Sequence, residues 1–157
     1  MSRPPIYFFS EDIPFKLKEK TFLRSWIKNT ITLEGKSLKE LNFIFCSDNY
    51  LLEINQNYLK HNTFTDIITF DNSEDPMDIV GDIFISVERV KENATKFGVE
   101  ERDELHRVMI HGTLHLIGYN DKSKAEKKVM TAREDHYLQL RAFNDLGGLR
   151  KDSSQAV

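Results

Sequence analysis

The chain of 157 residues is poor in cysteine and in long apolar runs. Its single Cys46 lies in an apolar stretch and has no partner for an internal disulfide, so we expect a buried, reduced thiol in an intracellular protein. No stretch approaches the roughly 18 consecutive apolar residues that would cross a bilayer. The residues from Met1 to Pro5 also lack the apolar region of a secretory signal. We therefore expect a soluble protein.

The chain also has little net charge. A formal charge of -3 and a pI of about 6.0 provide no overall attraction to phosphate, whereas nucleic-acid binders typically carry a basic domain or stripe. Any contact with RNA must therefore be local. The candidate surface, either a phosphate-attracting rim or a solvated helix face, is the basic cluster of Lys122, Lys124, Lys127, Lys128 and Arg133.

Hydrophobic periodicity predicts one α+β domain with a mixed sheet of about four strands covered by helices. The predicted strands are Ile6 to Phe9, Leu41 to Cys46, Thr65 to Phe70 and Ile79 to Ser86, the last two joined as a hairpin by an acidic loop. Helices are predicted at Phe15 to Ile27, from Ser47 or Asp48 to Tyr58, Val87 to Phe97, Val99 to Ile117, and from Ser123 to about Phe143. We assign the domain to residues 1–143 and a flexible tail to 144–157.

The stretch from His111 to Asp121 contains the candidate metal ligands. Residues four apart on a helix project side by side, so His111 and His115 can share one metal ion. Gly118 suits a left-handed helix stop, after which the chain can return Asp121 toward the two imidazoles. Two imidazoles and a carboxylate would leave a fourth position open for water, as in catalytic zinc sites. The alternative is an amphipathic helix with two incidental histidines, a Gly C-cap and a solvated aspartate.

The spacing matches the zinc-peptidase motif His-Glu-x-x-His-x-x-Gly-x-x-His with two changes. Gly112 replaces the glutamate that acts as general base, which disfavours peptidase chemistry. Because Gly costs about 1 kcal/mol in a helix relative to Ala, we expect Gly112 to permit a close approach of backbone or substrate. Asp121 replaces the third histidine, and its hard oxygen makes Mn²⁺ or Mg²⁺ more acceptable beside Zn²⁺, the preferred ion. The motif helix is expected to direct its metal face toward the sheet and the loop around Asp66.

A signature segment and three ordered motifs upstream of it resemble the YbeY-type family of rRNA maturation factors. His111 to Tyr119 matches the family signature His-Gly-x-Leu-His-Leu-x-Gly-Tyr, and the segments Asn55 to Tyr58, Thr65 to Phe70 and Gly81 to Ile83 match motifs upstream. The resemblance implies a cytoplasmic, zinc-dependent, single-strand-type endoribonuclease. It also implies action at the 3′ end of small-subunit rRNA, a role in ribosome quality control, and the small subunit as partner.

The chain departs from the family pattern at several positions. Asn120 and Asp121 stand where the family has an acidic residue and a histidine. Leu59, followed by Lys60, stands in place of an arginine, and Phe64 in place of a proline. Loss of that arginine removes a group suited to binding phosphate or stabilising transition-state charge, unless Lys60 or another cation substitutes.

The sequence identifies no catalytic residue, and the only reacting group that it suggests is a metal-bound water. Asp66 and Asp82 are candidates for orienting the imidazoles or lining the pocket, or else for hydrogen bonding at strand ends. His61 precedes a predicted strand and could reach the cleft, although a surface position is favoured, and we assign no function to His106 or His136. Two alternatives to the endoribonuclease stay open: a non-catalytic ribosome-assembly factor with a structural metal, and a metalloprotease.

Overall fold

The computed structural model describes residues 3–141, within which the chain forms four strands and five helices. The strands are β1 (Ile6–Ser10), β2 (Ser37–Cys46), β3 (Ile67–Asp71) and β4 (Asp78–Ser86). The helices are α1 (Lys20–Leu33), α2 (Asp48–Tyr58), α3 (Val87–Phe97), α4 (Glu101–Ile117) and α5 (Lys124–Gln139). The tail expected at 144–157 lies outside the described residues, so it and the boundary at residue 143 stay predictions.

The strands form one mixed sheet in the order β1-β2-β4-β3. β1, β2 and β4 run parallel, and β3 pairs antiparallel with β4 across the acidic loop. One face carries Phe43, Phe45 and Ile83 into the main core, while Ile68 and Phe84 on the other face pack with residues of α2. The alternation of side chains between faces is the two-residue period of a strand. The predicted α+β fold with a four-stranded mixed sheet is confirmed.

Helix α4 lies at the centre of the molecule, against β3, β4, α1, α3 and α5. Two glycines allow it to approach the sheet closely. A Cβ on Gly112 would lie 2.8 Å from Ile67 Cδ1 and 3.0 Å from Ile83 Cγ2, and a Cβ on Gly81 would lie 2.8 Å from Leu116 Cδ1. Gly112 therefore permits close packing against the sheet, one of the two reasons expected for it.

The first helix begins at Lys20, so its predicted start at Phe15 is wrong. Ile13, Phe15 and Leu17 are half-buried against the core while the residues between them are exposed. Burial at every second residue is typical of an extended segment. The pattern fits helical spacing only if these residues are counted together with the apolar residues of α1.

The last helix ends at Gln139, short of the predicted Phe143, which lies outside the described residues. The backbone N–H of Leu140 donates to the carbonyl of Tyr137. This hydrogen bond between residues three apart is of the 3₁₀ type and tightens the final turn.

The single cysteine lies in the core, at the end of β2. Cys46 is fully buried, as expected, and its burial together with the charges of nearby carboxylates raises the pKa of the thiol to about 12. Among the helices of residues 3–141, none is long and apolar enough to cross a membrane.

Candidate metal centre

Helix α4 and the loop after it bring together the three side chains that the motif singled out. The rings of His111 and His115 lie 4.6 Å apart between centroids. Gly118 ends the helix with a φ of 129°, and the chain turns back to Asp121. The carboxylate then lies 3.4 Å from Nε2 of His111 and 3.5 Å from Nε2 of His115. All three ligand atoms lie within 4.8 Å of one another.

Glu134 of α5 orients the first imidazole. Its Oε2 lies 2.6 Å from Nδ1 of His111, so Nδ1–H donates to the carboxylate and the lone pair of Nε2 faces Asp121. The side chain of Glu134 is only 8% exposed and also accepts a hydrogen bond from Arg107 at 2.7 Å. This pair of bonds holds a buried carboxylate in one position.

The loop itself orients the second imidazole. Nδ1 of His115 lies 2.9 Å from the carbonyl oxygen of Tyr119. A carbonyl can only accept, so Nδ1 of His115 carries the proton, and the neutral ring then presents the lone pair of Nε2. In their neutral forms both histidines therefore direct an unprotonated nitrogen at the carboxylate of Asp121.

The donor set fits a divalent cation. Two nitrogen lone pairs and an anionic oxygen converge, and this arrangement is repulsive unless a proton or a cation lies between them. Burial lowers the pKa of His111, but the hydrogen bond to Glu134 and the charges of Glu134, Asp121 and Asp66 outweigh it and raise the pKa above its ordinary value. The same negative surroundings favour a metal ion. The side chains of His115 and Asp121 are 26% and 36% exposed, so a substrate can reach the centre.

His111 lies on the flank of α4 beside α5 and not on the side that contacts the sheet, so that part of the expected orientation is wrong, whereas its expected proximity to Asp66 is seen. The side of α4 that contacts the sheet carries Gly112 and Leu116. His111 is one residue from Gly112, about 100° around the helix, and that rotation brings it to Glu134.

Glu134 and Arg107 are the functional candidates that the sequence analysis missed. Glu134 lies four residues after Met130 and three before Tyr137, and all three are buried. A carboxylate on the buried stripe of an amphipathic helix is a signal that the sequence did contain, because such a group requires a partner.

Asp66 and Asp82 occupy different environments. Burial raises the pKa of Asp66, and the nearby His111 partly offsets the rise, so Asp66 is close to the centre. Asp82 accepts hydrogen bonds from Asn42 at 3.0 Å and Asn72 at 3.2 Å. Neither carboxylate is hydrogen-bonded to an imidazole within the described residues, and their roles in the pocket stay predictions.

The remaining histidines lie outside the centre. His61 and His136 are exposed, whereas His106 is 1% exposed. Burial, together with the charges of Arg141 and Arg102, lowers the pKa of His106 to about 3. It is a neutral core residue.

The basic cluster divides into two parts. Its four lysines are exposed around the start of α5, immediately after Asp121, whereas Arg133 is paired with Glu34 at 3.3 Å. Arg133 therefore does not belong to an exposed cationic rim. The four lysines, which we call the lysine rim, are Lys122, Lys124, Lys127 and Lys128.

Two of the positions that depart from the family pattern, Leu59 and Phe64, lie before β3. Leu59 and Phe64 are 42% and 50% exposed. The guanidinium carbon of Arg89 lies 5.3 Å from the centroid of the Phe64 ring. The hydrogen bond to Asp48 is the main cause that raises the pKa of Arg89, and the charge of Asp66 contributes to the rise. Arg89 thus brings a cation into the neighbourhood of Asp66, although Asp48 and Glu92 already bind its guanidinium.

Comparison with known proteins assigns the family. The model of the family described as Endoribonuclease YbeY matches residues 9–141. The chain belongs to the endoribonuclease YbeY family. Relatives named Endoribonuclease YbeY include one from Cytophaga hutchinsonii, 50% identical over 91% of this chain and all of the relative. Another, from Flavobacterium psychrophilum, is 52% identical over 84% of this chain and 94% of the relative.

A solved structure agrees in fold. The solution structure of TM1509 from Thermotoga maritima matches with a TM-score of 0.63 and 25% sequence identity, over 97% of this chain and 99% of that one. The family model and the named relatives confirm the resemblance to the YbeY family stated from the sequence motifs. The endoribonuclease YbeY family is one of hydrolases that act on RNA.

Proposed function

We propose that this member of the endoribonuclease YbeY family is a zinc-dependent, single-strand-type endoribonuclease in the cytoplasm. We assign it to maturation of the 3′ end of small-subunit rRNA and to ribosome quality control, with the small subunit as partner. The family supports the cleavage of RNA. The observation that carries the metal dependence is the convergence of the His111, His115 and Asp121 ligand atoms within 4.8 Å.

Zinc is our first choice for the ion, because two imidazole nitrogens suit it, while the carboxylate also admits Mn²⁺ or Mg²⁺. A bound ion supplies Lewis-acid polarisation of a phosphate oxygen and makes a nearby water more acidic. The protein residues keep the site in one geometry: Glu134 and the Tyr119 carbonyl hold the two Nδ1 protons away from the ion. The lysine rim is exposed next to Asp121 and is placed to attract the RNA backbone.

A combined metal and cleavage assay tests this proposal. Purified wild type is analysed for bound metal and incubated with an RNA fragment spanning the small-subunit 3′ end, with Zn²⁺, Mn²⁺ or Mg²⁺. We expect cleavage that a chelator stops. His115→Ala and Asp121→Ala should lose both metal and cleavage, and His136→Ala, which changes an exposed histidine outside the centre, should retain both. Wild type that never cleaves rRNA with any of these ions contradicts the proposal.

The same variants separate the alternatives. If the metal were structural, as in a non-catalytic assembly factor, His115→Ala would unfold, whereas a catalytic metal leaves a folded but inactive protein. Circular dichroism melts distinguish the two. A metalloprotease is disfavoured because position 112 carries no general base and a side chain there would meet Ile67 and Ile83. Casein cleavage that disappears in His111→Ala would revive it.

A further inference from the structure

A second group of polar side chains lies behind the metal centre, around Glu34 at the end of α1. The Glu34 side chain is 11% exposed. Its Oε1 accepts a hydrogen bond from the Tyr119 hydroxyl at 2.7 Å, and its Oε2 accepts from Arg133 at 3.3 Å and from the Tyr137 hydroxyl. Hydrogen bonds from these donors and the charge of Arg133 outweigh the effect of burial and lower the pKa of Glu34. The carboxylate is thus ionised and fully engaged.

Tyr119 joins this group to the metal centre. Its hydroxyl is bound to Glu34, and its carbonyl oxygen accepts the Nδ1 proton of His115 at 2.9 Å. It also lies two residues before Asp121. One residue therefore touches one metal-ligand candidate through its backbone and precedes another in the same short loop.

The loop has few other restraints at this point. The N–H groups of Gly118 and Tyr119 donate to carbonyls in the last turn of α4, and Lys122 N–H donates to Glu126 at the start of α5. Between these two anchors, the N–H groups of Asn120 and Asp121 make no backbone hydrogen bond among the described residues. The side chain of Tyr119, hydrogen-bonded to Glu34 and packed against the core, ties this part of the loop to the rest of the fold.

We propose that Tyr119, anchored by Glu34, is a positioning residue for the metal ligands. It holds the carbonyl that fixes the His115 tautomer and sets the path on which Asp121 returns. Helix α5 then orients both imidazoles by two routes: Glu134 contacts His111 directly, while Arg133 and Tyr137 act on His115 through Glu34 and Tyr119. This inference rests on the metal site of the proposed function.

The matched variants are Tyr119→Phe and Tyr7→Phe. Tyr119→Phe removes only the hydroxyl that binds Glu34, and Tyr7→Phe removes a hydroxyl from a tyrosine that is 47% exposed on the edge strand β1. Zinc affinity is measured by competition with a chromophoric chelator. We expect Tyr119→Phe to bind zinc about 10-fold more weakly, the lower end of the range for losing a direct partner of a metal ligand, because the carbonyl that binds His115 is retained, and Tyr7→Phe to bind as wild type. Glu34→Gln should weaken zinc binding as well, because the amide NH₂ group is itself a donor and cannot accept hydrogen bonds from the donors around it.

A second measurement determines the tautomer of His115 in the absence of metal. In the metal-free protein at pH 8, nitrogen-15 NMR of the histidine rings reports which nitrogen carries the proton. Wild-type His115 should be protonated at Nδ1 alone, and Tyr119→Phe should show both tautomers. If Tyr119→Phe fails to fold, Glu34→Gln is read in the same two assays, and if neither folds the inference is overturned in favour of a purely structural role.

The outcomes separate this inference from the proposed function. Zinc affinity and a His115 tautomer unchanged in Tyr119→Phe overturn the positioning role while leaving the metal-dependent nuclease intact. Wild type that binds no metal overturns the metal-dependent function, and the NMR measurement then still tests the link between Tyr119 and His115.

Discussion

At the scale of single residues, the chemistry of the centre depends on which nitrogen of each imidazole carries a proton. Two histidines four residues apart can present either nitrogen to a shared ion, and sequence spacing does not choose between them. Here Glu134 and the Tyr119 carbonyl bind the Nδ1 protons of His111 and His115. Both Nε2 atoms are therefore available as ligands, and Asp121 faces them.

This dependence predicts that Glu134→Gln weakens metal binding. An amide is uncharged and can rotate its NH₂ group toward His111, so it holds the Nδ1–H tautomer less firmly. We expect zinc affinity to fall about 10-fold to 100-fold, measured by chelator competition.

Asp135→Asn is the matched control. Asp135 also binds Arg107, at 2.6 Å, but it is half-exposed and does not touch His111. Its zinc affinity should equal that of wild type, whereas equal losses in both variants would point to Arg107 and general loosening of α5 as the cause.

At the scale of elements, the position of the centre follows from how closely α4 lies on the sheet. A glycine on each side of this interface removes the side chain that would separate them: Gly112 lies over Ile67 and Ile83, and Gly81 lies under Leu116. The approach of α4 to β3 and β4 is thus encoded at both surfaces. It is also the reason that the peptidase glutamate has no room at position 112.

Adding a methyl group to either glycine should destabilise the protein, and more so at Gly81. A Cβ at Gly81 would lie 2.7 Å from the backbone oxygen of Phe70, which cannot move without breaking the hairpin, whereas Gly112 is opposed by side-chain atoms. Overpacking costs about 1–3 kcal/mol, and for Gly112→Ala the better helix propensity offsets about 1 kcal/mol. We expect a loss in the free energy of unfolding of about 1 kcal/mol for Gly112→Ala and about 3 kcal/mol for Gly81→Ala, measured by urea denaturation.

A double variant checks the assigned contact. Ile67→Val removes the Cδ1 atom that would lie 2.8 Å from the new methyl group, so it should restore part of the stability lost in Gly112→Ala. Additive losses in the double variant would contradict the contact as the cause.

Several elements were predictable from local pattern. The caps at Ser47, Ser86 and Ser123 all accept the expected backbone hydrogen bond, and Gly98 and Gly118 end their helices with positive φ. The start of α1 was not predictable by the same reasoning, because the half-buried apolar residues before Lys20 lie at positions that fit both an extended segment and a helix face. Only packing against the core separates the two.

At the scale of the whole molecule, one buried group couples the stability of the fold to pH. His106 is 1% exposed beside Trp26 and accepts a hydrogen bond from Arg141 at 2.8 Å. Its pKa is about 3 in the folded chain against an ordinary value of 6.5. The unfolded chain thus binds the proton more readily, and stability falls as pH decreases through this window.

We expect His106 to contribute a stability slope of up to about 1.4 kcal/mol per pH unit between roughly pH 6.5 and pH 3. The contribution is complete above pH 6.5 and is lost as the solution is acidified. The measurement is the free energy of unfolding of wild type minus that of His106→Phe, which cannot be protonated, at several pH values. The same difference for His136→Phe, an exposed histidine, should be flat. A flat difference for His106→Phe would show that this histidine is not the group responsible.

The sequence by itself determined the local parts of this protein: the alternation of the strands, the two histidines on one helix face, the glycine that ends that helix and the family to which the motifs belong. These follow from contacts between residues close in the chain, for which spacing is sufficient. Only the tertiary structure decided which side of α4 carries the centre and which groups orient it. Glu134 lies 23 residues from His111, and Glu34 lies 85 residues from Tyr119. Such pairs meet because α5 and α1 pack around α4, and the periodicity of the sequence within one element does not determine how separate elements pack.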